Sequence, residues 1–243
     1  MYFETEGIVL KRRKITDSDV FMTLFTVKLG KIQVFVKGGN YPKNALSKGT
    51  HPFTVADYSL RGSQKYTLAQ VEIKNSFYHF REDLRTLSYG SYFVDFVDKS
   101  LKEDEHNHGL YTLLLEALRA LDRQNLDEVK TYFEVRALKA LGISPLLTTC
   151  VVCGAKERLE YFSVEEGGVV CAECHESTGK GFKIHPAMVQ LMRYILMAPL
   201  GEYLEKDING LLLEKMDIFI NNYLMYHLNL APLKTRKFLK IYD

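Results

Sequence analysis

The sequence predicts an α+β protein with more than one domain, in which a small β-barrel precedes a helical region. Three observations lead to this prediction. Apolar residues recur with a period of two up to about residue 78, the period changes to 3.6 from residue 81, and all four cysteines lie between positions 150 and 174. We therefore expect domains at 1–80 and 81–243, with a zinc-binding insertion at about 148–178.

The first eighty residues predict five short strands. EGIVLKRRKI contains the first, and DVFMTLFTVKLGKIQVFVKGG predicts a hairpin that turns at Leu29-Gly30, with Val20, Met22 and Leu24 on one side. The Gly-, Pro- and Asn-rich segment 38–52 predicts a long loop. FTVADYSLRG and QKYTLAQVEI then predict two more strands. Five strands and one long loop favour a barrel of the OB-fold type.

The remainder of the chain predicts helices. Tyr89, Phe93 and Phe96 share one face at helical spacing, and Asn125 and Gly142 suit the two ends of a later helix. The further predicted helices lie at 109–124, at 125–142, from Pro186 onward and at 211–229. The cysteine segment interrupts this helical region.

Composition excludes several classes of protein. Hydrophobic residues make up 47% and charged residues 26% of the chain, which is typical of globular proteins and excludes wholesale disorder. The opening MYFETEGIVLKRRK lacks the basic segment followed by an apolar stretch that a signal peptide has. No apolar run approaches the length of a membrane span. We expect a cytosolic protein, in which thiols stay reduced.

The cysteines form two Cys-x-x-Cys pairs, Cys150 with Cys153 and Cys171 with Cys174, separated by seventeen residues. A spacer of this length allows a hairpin that brings four thiolates around one ion, and RLEYFSV followed by VVC predicts its strands. We predict a structural Zn²⁺ ion, because four thiolates leave no position for a catalytic water. Iron in the same geometry and a redox dithiol are the alternatives. His175 is expected not to be a ligand.

Positive charge is concentrated at the front of the chain. The net charge is +2, but residues 1–80 carry twelve Lys and Arg against six Asp and Glu. This imbalance favours a polyanionic partner that binds through its phosphates, and an ordinary solvated surface is the alternative. Tyr41, Tyr58 and Tyr66 are candidates to stack on bases, with packing inside the barrel as the alternative. The predicted nucleic-acid contacts are Lys11, Arg12, Arg13, Lys14, Lys31, Lys37, Lys43, Arg61 and Lys65.

A second basic cluster closes the chain. LKTRKFLK contributes Lys234, Arg236, Lys237 and Lys240. Next to the apolar helix 211–229, these residues would frame a groove for an acidic peptide with an aromatic tip. The alternative is that they meet the negative end of a helix.

No catalytic motif is present in the sequence. KGGNYPKN lacks the spacing of a phosphate-binding loop, and neither Gly-x-Ser-x-Gly nor His-Glu-x-x-His occurs. The seven histidines are scattered. We therefore predict that the protein is not an enzyme.

Five segments together are typical of one family. They are EGIVLKRRKITDSDVFMTLFT, the KGG after the third strand, ALKALGISPLLTTCVVCG, CAEC and LKTRKFLK. On these segments the chain resembles the RecO family of bacterial recombination mediators over essentially its whole length. The resemblance implies an N-terminal OB-fold and a helical domain with a zinc knuckle. It also implies a non-enzymatic protein of the cytoplasm, associated with the nucleoid.

The resemblance implies a set of partners as well. Members of the family bind single- and double-stranded DNA, anneal complementary strands and, with RecR, help RecA displace single-strand-binding protein (SSB) from DNA. Contact with the acidic C-terminal tail of SSB is expected through the helical domain, and charge alone suggests the cluster Lys234–Lys240. Two other functions stay open: an OB-fold and zinc-ribbon protein that acts on RNA in translation or transcription, and a scaffold whose basic barrel binds an acidic protein.

Overall fold

The computed structural model describes residues 1–63, 65–122 and 125–240, except for the side chain of Lys240. These residues form two compact units. The first consists of Met1–Asp122 with the described part of Pro232–Asp243, and the second is the described part of Arg123–Ala231. The first unit contains two helices in addition to the barrel. The domain boundary near residue 80, which follows the change from strands to helices, stays a prediction.

The first unit contains a closed barrel in which the strands neighbour one another in the order β1-β2-β3-β5-β4. β1 pairs with both β2 and β4, and the pairing of β3 with β5 is the parallel one. The strands are β1 (Tyr2–Lys14), β2 (Val20–Thr26), β3 (Gly30–Val36), β4 (Val55–Arg61) and β5 (Tyr66–Asn75). This is the five-stranded OB-fold, so the predicted fold class, α+β with an N-terminal OB-fold barrel, is confirmed.

A β-bulge in β1 decides which of its basic residues face outward. Val9 lies opposite Leu24 and Lys11 lies opposite Thr23, so that Leu10 is the extra residue. Beyond the bulge, Arg12 pairs with Met22, which is completely buried in the barrel core, while Lys11 and Arg13 alternate onto the outer face. Adjacent cations on β1 therefore point in opposite directions.

The loop 37–54 between β3 and β4 contains a 3₁₀ turn at Ser47–Thr50. Gly49 packs so closely on Val71 of β5 that an added Cβ would lie 2.6 Å from a methyl group of that valine. The carbonyl oxygen of Gly49 accepts a hydrogen bond of 2.9 Å from the hydroxyl of Tyr58. The predicted long loop is thus held against the barrel at its centre.

Two helices, α1 (Leu84–Ser100) and α2 (His108–Ala120), complete the first unit with the end of the chain. α1 begins where the carboxylate of Asp83 accepts hydrogen bonds from the first backbone N–H groups. α2 contacts the barrel through Tyr111, whose hydroxyl donates to Glu6 Oε1 at 2.8 Å. A 3₁₀ turn at Thr235–Lys240 packs on α1.

The second unit is built around α3 (Leu126–Ala140), which contacts three other helices of the unit and buries almost its whole circumference. Lys130 on α3 is 5% exposed and forms an ion pair of 2.6 Å with Asp217. The remaining elements are β6 (Tyr161–Ser163), β7 (Gly168–Val170), α4 (Ala172–Thr178), β8 (Phe182–Lys183), α5 (Pro186–Met197), α6 (Leu200–Leu204) and α7 (Gly210–Leu228). Within the described part of the chain, no helix combines the length and the hydropathy that a membrane span requires.

Candidate nucleic-acid surface and metal centre

The four cysteines converge on one point of the second unit. Their Sγ atoms all lie within 4.8 Å of one another. The first pair sits in a tight turn in which Gly154, at φ +78°, donates its N–H to the carbonyl oxygen of Cys150 at 2.9 Å. The second pair begins α4, where the sulfur of Cys171 accepts from the N–H of Cys174. The predicted hairpin, formed by β6 and β7, joins the two pairs.

The surroundings of the thiols suit a bound cation. Burial alone would raise the pKa of Cys150, but the N–H groups of Cys153, Cys171 and Val152 donate to its sulfur and lower the pKa to about 6. The opposite shift occurs at Cys174, where the hydrogen bond with Cys153 raises the pKa to about 12. Four thiols this close cannot all ionise without a cation between them, so the cluster has the chemistry to hold a metal ion.

The ring of His175 makes contacts with the protein that explain its position without a bond to a metal. Its ring stacks on Tyr161 with centroids 3.6 Å apart and planes at 12°. Its Nδ1 lies 2.8 Å from the carbonyl oxygen of Lys180. The residue therefore supports the fold beside the cysteine cluster, although it is adjacent to Cys174 in the sequence.

Most of the predicted nucleic-acid contacts lie on the surface of the first unit. Lys14 forms an ion pair of 2.8 Å with Asp17, but exposed pairs of this kind contribute little and leave the ammonium accessible. Arg61 lies over the exposed ring of Tyr2, with 5.1 Å from its guanidinium carbon to the ring centroid. The exposed members of the set are Lys11, Arg13, Lys14, Lys37, Lys43, Arg61 and Lys65.

Lys31 does not belong to this surface. The residue is 9% exposed, and its ammonium donates to the carbonyl oxygens of Asp98 and Leu101 at the C-terminal end of α1. Asp98 also places a carboxylate oxygen 3.4 Å from it. The ammonium therefore neutralises the negative end of a helix and cannot reach a phosphate. We correct the prediction for Lys31 and exclude it from the candidate surface.

Arg12 is also engaged within the protein. Its Nε donates to Thr50 Oγ1 at 3.0 Å, and its Nη2 donates to the carbonyl oxygen of Gly39 at 3.2 Å and to Asn40 Oδ1 at 2.9 Å. These acceptors belong to the loop between β3 and β4. Arg12 is therefore a structural contact between β1 and that loop.

A row of side chains on the outer face of the barrel was missed by the sequence analysis. Arg13, Phe21, Phe35 and Thr67 lie side by side on β1, β2, β3 and β5, because each is paired with the next in register. The rings of Phe21 and Phe35 are partly exposed and meet edge to face, with centroids 5.6 Å apart. Phe21 alternates with the core residues Val20 and Met22 along β2, but the sequence could not show its exposure, because Thr23 and Phe25 on the same side of the strand are buried.

The three tyrosines predicted to stack on bases differ in position. Tyr58 is 1% exposed inside the barrel, and burial raises its pKa well above the usual value, so it fits the alternative of packing inside the barrel rather than base stacking. Tyr66 is partly buried and packs edge to face on Phe3 at 5.8 Å. Tyr41, in the loop between β3 and β4, is 54% exposed. Tyr41 alone remains a clear stacking candidate among the three.

The other outer face of the barrel is acidic. Glu6, Asp57 and Glu72 lie side by side on β1, β4 and β5. Lys74 bridges two of them, at 2.7 Å from Glu6 and 2.9 Å from Asp57. The hydrogen bond from Lys74 lowers the pKa of Glu6, although burial opposes the shift. The barrel therefore carries cations and aromatic rings across β1–β2–β3 and carboxylates across β1–β4–β5.

The C-terminal basic cluster lies against α1 in the first unit, whereas the apolar helix predicted at 211–229 is α7 of the second unit. Arg236 is partly buried against Tyr92 of α1. Lys234 and Lys237 are exposed. The side chain of Lys240 lies outside the described part of the chain.

Two family models match almost the entire sequence. The model described as Recombination protein O N terminal matches residues 1–77, and the one described as Recombination protein O C terminal matches residues 81–237. The chain is similar to "DNA repair protein RecO" of Alkaliphilus metalliredigens, with 34% identity over 94% of this chain and 95% of the relative. The protein of the same name from Thermoanaerobacter sp. is 31% identical over 93% of this chain and 93% of the relative. That from Caldanaerobacter subterraneus is also 31% identical, over 94% of this chain and 94% of the relative. The chain belongs to the RecO family.

Proposed function

We propose that this chain is a non-enzymatic mediator of DNA repair and homologous recombination. It binds single- and double-stranded DNA, anneals complementary strands and, with RecR, helps to load RecA onto DNA that is coated with SSB. It acts in the cytoplasm in association with the nucleoid. Membership of the RecO family supports the role in repair and recombination.

The observation that carries the DNA-binding part of the proposal is the row across β1–β2–β3. Lys11 and Arg13 supply cations for phosphates, and Phe21 and Phe35 supply partly exposed rings at the spacing of neighbouring strands. Basic residues next to aromatic rings on one face of an OB-fold are the features by which proteins bind single strands without sequence preference. The carboxylates across β1–β4–β5 would repel phosphates, which supports the proposal that DNA binds on the side of the row.

This arrangement is also compatible with annealing. A phenylalanine ring contacts the flat face of a base and a lysine or arginine contacts the phosphate, so neither needs the Watson–Crick edge. The cations also reduce the repulsion between two approaching polyanions. A strand held on this face would remain able to pair with its complement.

We propose that the cysteine cluster holds a structural Zn²⁺ ion. Four sulfurs at about 2.3 Å from a tetrahedral Zn²⁺ lie about 3.8 Å apart. The sulfurs of Cys153 and Cys171 are 3.7 Å apart, which fits this geometry and greatly exceeds the roughly 2 Å of a disulfide. Cys150, Cys153, Cys171 and Cys174 would close the coordination shell, and the ion would stabilise the junction of β6, β7 and α4.

The partner contacts follow from charge. Among the described side chains of the C-terminal segment, Lys234 and Lys237 are the exposed cations, and we propose that they meet the acidic tail of SSB. Arg236 is left out of this contact because it binds Tyr92. Interaction with RecR is proposed from the family and is not assigned to particular residues.

Annealing of complementary oligonucleotides tests the proposal. Two strands labelled with a donor and an acceptor dye should pair faster in the presence of the protein, both as free strands and when coated with SSB. Acceleration with DNA supports a recombination mediator, whereas acceleration with RNA only would favour the RNA-binding alternative. A protein that binds neither polymer would favour the scaffold with an acidic protein partner. In the mediator and RNA cases, affinity should fall steeply as salt increases, because phosphate contacts release counterions.

A further inference from the structure

We propose that Arg12 is a positioning residue that holds the loop between β3 and β4 so that two of its exposed cations, Lys37 and Lys43, join the DNA-binding surface. The inference rests on the DNA binding proposed above and goes beyond it, because it assigns a basic residue within KRRK to a role other than phosphate contact. It also distinguishes Arg12 from its neighbour Arg13.

The direction of the side chain is the first argument. Arg12 lies opposite Met22, which is completely buried, so it projects toward the core side of the sheet, whereas Arg13 lies opposite the outward-facing Phe21. An arginine that projects toward the barrel core needs hydrogen-bond acceptors, because burying an unpaired charge is costly. The loop between β3 and β4 supplies these acceptors.

The second argument is that Arg12 joins two distant parts of one loop. Its Nε binds the side chain of Thr50, while its Nη2 binds Gly39 and Asn40, ten residues earlier. Thr50 is completely buried and donates its hydroxyl to the carbonyl oxygen of Ser47 at 2.7 Å. The guanidinium therefore closes the segment 39–50 of this loop, which contains Lys43 and Tyr41 and begins two residues after Lys37.

The third argument is that Asn40 extends the contact to the turn between β1 and β2. Its N–H donates to the carbonyl oxygen of Ser18 at 2.8 Å, and its Nδ2 donates to that of Asp17 at 2.9 Å. Beside it, the carboxylate of Asp19 accepts from the N–H of Gly38 at 2.7 Å. The turn that follows Lys14 and the loop that follows Lys37 are thus linked, with Arg12 and Asn40 at the junction.

The chemistry of arginine explains why this position needs it. A guanidinium offers donors in several fixed directions, whereas a lysine ammonium is a single point at the end of a flexible chain. Lysine would keep the positive charge but would not span Thr50 and Asn40 together. A residue that contacts phosphate tolerates this exchange better than a residue that braces a loop.

The test compares Arg12→Lys with Arg119→Lys, two substitutions that conserve charge; Arg119 is an exposed arginine of α2 outside the proposed surface. Affinity for a single-stranded oligonucleotide is measured as a function of salt, where each lost phosphate contact lowers the slope by about 0.7. We expect Arg119→Lys to leave affinity and slope almost unchanged. Arg12→Lys should weaken binding and lower the slope by more than one contact, because Lys37 and Lys43 lose their positions together.

A second variant tests the inference independently, in case Arg12→Lys fails to fold. Asn40→Ala changes no charge and removes, from the loop side, the side-chain contacts of Asn40 with Arg12 and Asp17, so it should lower the salt slope in the same direction. Replacing Lys37 and Lys43 by alanine should weaken the wild type but have little further effect in either junction variant. Equal salt slopes for Arg12→Lys, Asn40→Ala and the wild type would overturn the inference. It would also be overturned if the alanine substitutions at Lys37 and Lys43 weakened the junction variants as much as they weaken the wild type. A wild-type protein that binds no nucleic acid would instead overturn the proposed function.

Discussion

The guanidinium of Arg236 donates a hydrogen bond of 2.7 Å to the hydroxyl of Tyr92 and lies over its ring, with its central carbon 5.3 Å from the ring centroid. Tyr92 is 1% exposed on α1. Next to this pair, Thr235 donates its hydroxyl to the carboxylate of Asp95 at 2.8 Å. These contacts attach the end of the chain to the first unit. Arg236 therefore has a structural role, although its neighbours Lys234 and Lys237 are exposed.

Replacing Arg236 by alanine should lower stability. The change removes a hydrogen bond from a charged group and a cation–π contact, which together correspond to about 2 kcal/mol in the free energy of unfolding. Lys237→Ala is the matched control, because that side chain is exposed and should change stability by less than about 0.5 kcal/mol. Urea unfolding measures both variants. Equal losses in the two would contradict the structural role of Arg236.

Cys153→Ser should lower the zinc content and the melting temperature together. Loss of one thiolate opens the coordination shell, and a structural site contributes its binding free energy to folding. Elemental analysis and thermal unfolding are the measurements. His175→Ala is the control that separates a ligand from its neighbour, and it should retain one equivalent of zinc. Full occupancy in Cys153→Ser, or loss of metal in His175→Ala, would show that the proposed ligand set is wrong.

Arg13→Glu should weaken binding to single-stranded DNA by roughly tenfold at low salt, because a phosphate contact becomes a repulsion. Lys139→Glu, on an exposed position of α3 in the second unit, makes the same change in net charge and should have a much smaller effect. Fluorescence anisotropy with a labelled oligonucleotide measures both. If the two variants lose the same affinity, overall charge rather than the face of β1–β2–β3 controls binding.

Phe35→Leu should weaken binding to single-stranded DNA more than binding to duplex DNA. Leucine keeps an apolar side chain but removes the flat ring, and stacking on an aromatic ring contributes about 1–3 kcal/mol per base. Phe182→Leu is the control, since Phe182 is an exposed aromatic residue of the second unit. Parallel titrations with single- and double-stranded oligonucleotides provide the comparison. A loss that is the same for both forms of DNA would exclude base stacking on this row.

The stability that Glu6 contributes should depend on pH. Lys74 holds the pKa of Glu6 below its ordinary value of 4.5, so its carboxylate favours the folded state above that pH. This contribution is lost as the pH falls through the lowered pKa of the folded state. Glu6→Gln should therefore be less stable than the wild type near pH 7, and the difference should shrink toward pH 3. Tyr111→Phe removes the second hydrogen bond to Glu6 and should reduce the same pH-dependent difference. A difference that is constant with pH would contradict this account.

Much of the fold was predictable because it depends on local patterns. The period of two in β2 placed Val20, Met22 and Leu24 in the core, where all three are completely buried. The spacing of the cysteines predicted the hairpin that joins their two pairs, since only a tight return of the chain brings such pairs together. The bulge at Leu10 was not predicted, because it is a shift in the register between β1 and β2 that the alternation within one strand does not show.

The sequence predicted that the barrel carries a surface rich in cations and aromatic residues, but not which residues form it. Phe21 was not singled out, because both faces of β2 are apolar in the sequence and only closure of the barrel shows which one faces outward. Tyr58 was left open between base stacking and packing inside the barrel, because tyrosine suits both environments. Its hydroxyl in fact finds a partner in the carbonyl oxygen of Gly49 inside the barrel.

From the sequence it was already clear that cations accumulate in the first eighty residues, that strands precede helices and that four thiols meet. The role of each cation became clear only from the folded chain. Lys31 meets the end of α1 and Arg12 meets the loop between β3 and β4, while Arg13 faces outward. A charged side chain points toward groups that accept its hydrogen bonds. For Arg12 and Lys31 those acceptors lie 27 to 70 residues away along the chain. No local pattern records such distant partners.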